Sequence, residues 1–151
     1  MPRFRILVLS ALLACLIVPA LPAAPAAASA EDQMVAKINS YRANHGLPQV
    51  RKSKSLTRTA ERYSWKQLND GYFGHANRIQ ASSKYSRLGE ILAYLSGTRA
   101  QVSSAFRMWL NSGGHRAVIM DRRFRYVGAG RASGNFRGGK ATIWTVQFGS
   151  R

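Results

Sequence analysis

Apolar positions recur along the chain at two different periods. Met34, Val35, Ile38, Tyr41 and Ala43 fall at helical spacing, and Gly46 with Pro48 supplies a C-cap and then a breaker. Leu56, Ala60, Tyr63, Ser64 and Leu68 repeat the pattern in a second helix that Gly71 stops. Thr98-x-x-Gln101 has the form of a capping box. Behind it Val102, Ala105, Phe106, Trp109 and Leu110 mark a third helix, ended by Gly113-Gly114. The period then changes: Trp144, Val146 and Phe148 alternate with Ile143, Thr145 and Gln147, as in a strand. Tyr126 to Ala132 reads as its partner, with a glycine-rich turn between Ser133 and Gly139. Helices followed by a hairpin predict an α+β domain rather than a βαβ alternation.

The first thirty residues have a different character. Arg3 and Arg5 precede an apolar run from Ile6 to Val18, and small residues and prolines lead to Ala28-Ser29-Ala30. This is the order of a secretory signal peptide, so residues 1–30 read as leader and 31–151 as one domain. Two alternatives exist: an N-terminal membrane anchor, against which Pro19, Pro22 and Pro25 speak, and lipidation at Cys15, where Leu16-Ile17-Val18 continues apolar. No run of 18 uncharged apolar residues follows residue 30, so no transmembrane segment is expected after cleavage. Cys15 is the sole cysteine, which excludes an intramolecular disulfide framework and a multi-thiolate zinc site. The expected location is secreted, periplasmic or otherwise extracytoplasmic.

Charge adds an individual feature. The 151 residues contain 23 Lys and Arg against 6 Asp and Glu, a net charge of +17. Loss of residues 1–30 removes Arg3, Arg5 and no acid, leaving +15 on 121 residues. Arg58, Arg62 and Lys66, four residues apart, form a basic stripe on the second helix, and Arg122, Arg123 and Arg125 form a second cluster. Such an excess attracts polyanions and predicts binding that weakens steeply with salt. Anionic lipid, lipopolysaccharide, acidic wall polymer or another polyanion is the expected partner. No reading helix, ribonucleoprotein motif or zinc finger points to a specific nucleic acid. Trp65, Trp109 and Trp144 read as core residues, and His45 as a side chain meeting a free carbonyl in the last turn of the first helix.

The remaining chemistry is histidine and glutamate. His75 and His115 each follow a glycine, as does Glu90, which puts all three near element boundaries. Composition alone leaves open whether they converge or each fills a local hydrogen bond.

The order of segments resembles the CAP superfamily (cysteine-rich secretory proteins, antigen 5 and pathogenesis-related proteins), in its bacterial SCP-like form. Asn39 to Pro48 resembles the opening helix of bacterial members, and Gly71-Tyr72-Phe73-Gly74-His75 the first-histidine segment. Gly89-Glu90 resembles the Gly-Glu-Asn box, and Trp109-Leu110-Asn111-Ser112-Gly113-Gly114-His115-Arg116 the Trp-x-x-Ser-Pro-Gly-His-Arg motif. Phe124 to Gly130 and Trp144 to Gly149 resemble the closing strands, so the likeness spans residues 34–149. It implies a three-layer α-β-α sandwich around a central antiparallel sheet. It further implies a cleft in which His75, Glu90 and His115 meet and hold zinc or another divalent cation, with Tyr72, Phe73 and Ser112 lining it. Two departures stand out: Ile91 replaces the usual Asn, and Ser112 stands where eukaryotic members carry a second Glu.

The resemblance carries no general catalytic mechanism. A Ser112–His115–Glu90 triad can be drawn, but no nucleophile elbow or oxyanion hole accompanies it. Two functions are therefore weighed: an exported binding module at the cell envelope, without catalysis, and a metal-dependent hydrolase using His75, Glu90 and His115.

Overall fold

The computed structural model describes residues 27–81 and 84–151; most of the predicted leader, with Cys15, lies outside the described residues. In chain order the elements are α1 (Ala30–Asn44), β1 (Arg51–Lys52), α2 (Lys54–Asp70), β2 (Arg87–Ser96), α3 (Val102–Asn111), α4 (Gly113–Met120), β3 (Tyr126–Phe136) and β4 (Gly139–Ser150). The sheet order is β1-β3-β4-β2. Its three long strands are antiparallel, and two-residue β1 joins the edge parallel to β3. Arg137 and Gly138, both at positive φ (48° and 84°), make the β3–β4 turn, closed by the pair Phe136–Gly139. Two positive-φ residues match the right-handed twist of the strands they join.

Strand alternation sorts the sheet into two unlike faces. Ile91, Ala93 and Leu95 of β2, Val127 and Ala129 of β3, and Trp144, Val146 and Phe148 of β4 all point one way. There they meet Met34, Val35 and Ile38 of α1, Ala105, Phe106 and Trp109 of α3 and Ile119 of α4 in one apolar core. Helix α2 alone covers the opposite face, which completes the three layers. On that side Ser64 Oγ lies 2.9 Å from Thr145 Oγ1, and Gln67 Nε2 lies 3.3 Å from the same hydroxyl. Leu56 and Ala60 are buried there over β3, and at the far end Leu68 packs with Ala132, Phe136, Ala141 and Ile143.

Two glycines of β3 set how closely α2 approaches. A Cβ at Gly128 would lie 2.1 Å from Thr57 N, and one at Gly130 would lie 2.0 Å from Glu61 N. The helix backbone therefore rests directly on the strand, as only glycine permits. Helix α2 begins at Ser53, whose Oγ accepts from Leu56 N–H, and stops at Gly71 in the left-handed region (φ 61°).

Several expectations need correction. Helix α3 starts at Val102; Thr98 lies before it, and Gln101, at φ 47°, donates its side-chain amide to Ser96 O instead of closing a capping box. Gly113-Gly114 ends α3 but also opens α4, a helix that double glycine argues against by propensity. Glu90 sits inside β2 rather than near a boundary. Ala43 is exposed while Arg42 turns inward, fully buried, its Nη1 donating to Ile119 O (2.6 Å) and Asp121 O (3.1 Å) and its Nε to Pro48 O (3.0 Å). Trp109 and Trp144 are core residues, whereas Trp65 is 45% exposed on the outer side of α2. His45 Nδ1 does meet a helix carbonyl, that of Tyr41, at 2.7 Å.

Candidate functional site

The site is built on the polar face of the sheet. Glu90 projects from β2 towards α2 with its side chain only 4% exposed. Its Oε1 lies 3.2 Å from His75 Nδ1 and accepts the Ala76 N–H at 3.2 Å, while Oε2 accepts from Gln147 Nε2 at 2.9 Å. Gln147, facing Glu90 across the β2–β4 register, accepts the Thr59 hydroxyl at 2.7 Å through its own Oε1. A chain of hydrogen bonds thus runs from α2 through β4 and β2 to the loop that follows α2. A carboxylate only accepts, so this network assigns the His75 proton to Nδ1 and leaves Nε2 as the free lone pair of the neutral ring.

The loop carrying His75 is fastened to α2. Tyr63 donates its hydroxyl to Gly74 O (2.8 Å), and Gly74 N–H donates to Gln67 Oε1 (3.1 Å). Burial, with Glu90 and Tyr72 nearby, pushes the Tyr63 phenol pKa up, which keeps it a donor. The Tyr72 ring lies against Gly74: a Cβ there would fall 2.4 Å from the Tyr72 hydroxyl and 2.7 Å from Cζ.

His115, in the first turn of α4, brings its ring centroid to 6.2 Å from that of His75. Burial first, and the neighbouring His75 second, hold its pKa below the usual imidazole range. The two histidines and Glu90 therefore gather in one region, but not as three ligands around a common point. Among the described residues no group of three or more His, Cys, Asp and Glu side chains is placed to hold a metal ion. Both Glu90 oxygens already serve the loop and Gln147, so the carboxylate stands behind His75 as its orienting partner, as such groups often do. As arranged, the three residues do not fit a three-ligand zinc site. Ser112 receives the Arg116 N–H through its backbone carbonyl and makes no side-chain capping bond. Nothing pairs its hydroxyl with His115 or Glu90 as a triad requires. Phe73 turns to the edge of the Tyr94 ring (5.9 Å between centroids), leaving Tyr72 as the cleft's outer aromatic.

The cleft itself has a volume of ≈ 560 Å³ between α2 and the 72–80 loop. Thr59, Gln67 and Gln147 line it with His75, and Arg62, Lys66 and Arg78 contribute its cations. Arg58 lines an adjoining hollow with Arg62 and Gln80. The basic stripe of α2 and the His75 cleft, separate features in the sequence, are thus one surface. The second basic cluster lies elsewhere, at the turn between α4 and β3. There Arg123 forks Asp121, with Nε to Oδ1 at 2.9 Å and Nη2 to Oδ2 at 2.8 Å, and this pairing lowers the Asp121 pKa to about 2. Arg125 turns its guanidinium onto the carbonyls of Arg122 and Phe124.

Sequence reasoning missed Arg78, Gln67, Thr59 and Gln147. For Gln147 a signal existed: it shares an alternating face with Thr145, and a polar face that is buried must satisfy its own hydrogen bonds.

Known proteins match this architecture. The solved structures of an outer surface protein from Borrelia burgdorferi and of an extracellular SCP-domain protein from Bacillus anthracis both superpose with a TM-score of 0.64. The first is 20% identical, over 79% of this chain and 90% of its own; the second is 21% identical, over 81% and 40%. At such identities the likeness establishes the fold. In sequence, the uncharacterized protein YkwD of Bacillus subtilis (strain 168) is 28% identical over 127 residues, 78% of this chain. The uncharacterized membrane protein YlbC of the same organism is 25% identical over 111 residues, 68% of this chain. The chain spans 46% and 31% of the lengths of these two relatives. The sequence profile of the cysteine-rich secretory protein family, CAP, matches residues 35–148, and the chain belongs to that family.

Proposed function

We propose that this CAP domain works outside the cytoplasm as a binding module for an anionic partner, without catalysis, and that the basic side of α2 together with the adjoining cleft is its binding surface. Both solved relatives named above are outer-surface or extracellular proteins, and none of the helices among the described residues is long and apolar enough to cross a membrane. One observation carries the reading: Arg62 and Lys66 of the α2 stripe are walls of the cleft into which the buried Thr59–Gln147–Glu90 chain holds His75. Neither Arg62 nor Arg78 has a carboxylate partner among the described residues, so both keep their full attraction for an external anion. In the second cluster, by contrast, Arg123 is forked on Asp121 and Arg125 is turned onto local carbonyls, which leaves Arg122 as its one member without such a contact among the described residues.

Two double variants of equal net charge test this: Arg58→Glu/Arg62→Glu on α2 and Arg122→Glu/Arg125→Glu on the α4–β3 turn. Retention on immobilised polyphosphate is read against salt. The α2 pair is expected to elute at clearly lower salt, with a log–log slope shallower by about 0.7 per lost contact. Equal losses for the two pairs would reduce the interaction to net charge and end the assignment of this surface.

A further inference from the structure

The lining of the cleft says more about the ligand than its charge does. Ala76 is the one aliphatic side chain among the described residues that form it. The rest of the cleft's apolar lining comes from the rings of Tyr63 and Tyr72, and two rings with one methyl do not enclose an acyl chain or a sterol, whose affinity comes from the apolar area it removes from water. Gln67 and Gln147 are buried in the floor of the cleft with both ends of their amides spent on Gly74, Thr145, Thr59 and Glu90, whereas the exposed amides of Asn77 and Gln80 each offer donors and an acceptor. Neutral hydroxyl-bearing ligands are read by such amides, since a hydroxyl also both donates and accepts.

A platform accompanies the amides. Tyr72 is 55% exposed, its ring lies against Gly74 on one side, and it lines the cleft. The C–H groups on the flat side of a pyranose ring present a weakly positive apolar surface that suits the negative face of an aromatic ring. Tyr63, fixed through its hydroxyl to Gly74 O, is the second ring of the lining. Arg62 and Arg78 then stand ready for a carboxylate or phosphate, while Lys66 is bridged to Asp70, whose carboxylate tempers that end of the rim.

Resting on the binding-module reading above, we infer that the cleft takes a sugar ring bearing an anionic group, stacked on Tyr72, hydrogen-bonded to Asn77 and Gln80 and paired with Arg62 and Arg78. The ligand class is an acidic saccharide and not a lipid tail. Carboxylate and phosphate satisfy the same arginines, so the two sources are separated by experiment.

Calorimetric titration of the exported protein at fixed moderate salt uses four probes: trigalacturonate, glucose 6-phosphate, neutral maltotriose, and dihexanoyl phosphatidylglycerol below its micelle concentration. Trigalacturonate or glucose 6-phosphate is expected to bind, and whichever does so identifies the source. Maltotriose and the short-chain lipid should bind at least tenfold more weakly than that probe. Tyr72→Ala and Arg62→Gln should each weaken the sugar by about tenfold. Tyr72→Phe should keep most of the affinity, since the platform and not the hydroxyl does the stacking. Equal or tighter binding of the lipid would overturn the inference, as would sugar binding indifferent to Tyr72→Ala. Polyphosphate retention that still depends on Arg58 and Arg62, with no saccharide bound, would sink the inference and leave the binding-module reading standing. Loss of both would remove the two together.

Discussion

The two faces of one sheet are built by alternate residues of the same strands, yet they do opposite work. Towards α1, α3 and α4 the strands present Ile91, Val127, Val146 and Phe148, with Trp109 and Trp144 filling the space between layers. Even the polar atoms of the two indoles are spent structurally, Trp109 Nε1 donating to Leu92 O and Trp144 Nε1 to Ala100 O, each at 2.7 Å. Towards α2 the same strands present Glu90, Thr145 and Gln147, and glycine where the helix comes closest. Apolar burial stabilises the first face, and the buried Arg42 of its covering layer is taken up by three carbonyls. On the second, a buried carboxylate is tolerated because three donors satisfy it, and the result is a side chain, His75, held in one orientation at the edge of a cleft.

The comparison breaks most visibly at Trp144. Trp144→Ala empties the centre of the apolar face and is expected to cost about 3–5 kcal/mol of unfolding free energy, read by urea denaturation. On the polar face the nearest equivalent is an addition, not a deletion. Gly130→Ala forces a methyl to within 2.0 Å of the α2 backbone, and a shift of the helix is expected to cost about 1–3 kcal/mol. The two variants differ in what else they change. Gly130→Ala moves the wall that carries Arg62 and Lys66, so the molecules that remain folded should also release polyphosphate at lower salt. Trp144→Ala molecules that remain folded should not. Identical retention in both would mean that α2 does not need its seat on β3 to bind.

Gln147→Leu sharpens the contrast at one residue. It preserves volume but strips Glu90 Oε2 and the Thr59 hydroxyl of their shared partner, at an expected cost of about 1–3 kcal/mol. The same change should loosen His75, visible as a shift and broadening of its ring proton signals. Leucine at Gln147 without either effect would show that the relay from α2 to His75 is not what orients the ring.

Much of this was legible in the chain, and the failures have physical causes. The alternation of Trp144, Val146 and Phe148 with Ile143, Thr145 and Gln147 is correct, but polarity does not mean exposure, since α2 buries the second set as fully as α1, α3 and α4 bury the first. Strand β2 escaped because Glu90 to Leu95 is buried on both faces apart from half-buried Tyr94, so no two-residue period marks it. Arg42 was hidden by its type: an arginine in the last turn of a helix reads as surface, yet here three carbonyls take it into the interior. The histidine and glutamate positions followed from resemblance alone. That Glu90 backs His75 instead of standing beside it depends on side-chain directions from three elements far apart in sequence, and no spacing encodes those. Convergence of the α2 stripe with His75 escaped for the same reason, because the loop after α2 folds back along the helix that precedes it.

The start of α1 tests the apolar side more gently. Ser29 Oγ accepts from Asp32 N–H at 3.0 Å, and Ala30 packs against the core. Cleavage after Ala30 would remove both. A chain beginning at Glu31, the domain start read from the sequence, should therefore unfold at lower urea than one beginning at Ser29. Ser29→Ala should then cost about 1 kcal/mol.

The smallest effect lies at the seam where the two sides meet. His115 belongs to a helix of the apolar layer but turns its ring towards His75 of the polar one. Burial and that neighbour lower its pKa in the folded protein, while the unfolded chain keeps the ordinary value near 6.5. Below that value the unfolded state binds more protons than the folded state. The stability that neutral His115 represents is therefore complete above about pH 6.5 and drains away as the pH falls through 6.5 towards the folded pKa. Asp121, at about 2, does not titrate in that window. Urea midpoints measured at pH 7.5 and 5.5 should fall with acidification, and His115→Gln should flatten the decline. An unchanged decline in that variant would place the acid sensitivity away from the seam, leaving the two faces to respond to pH independently.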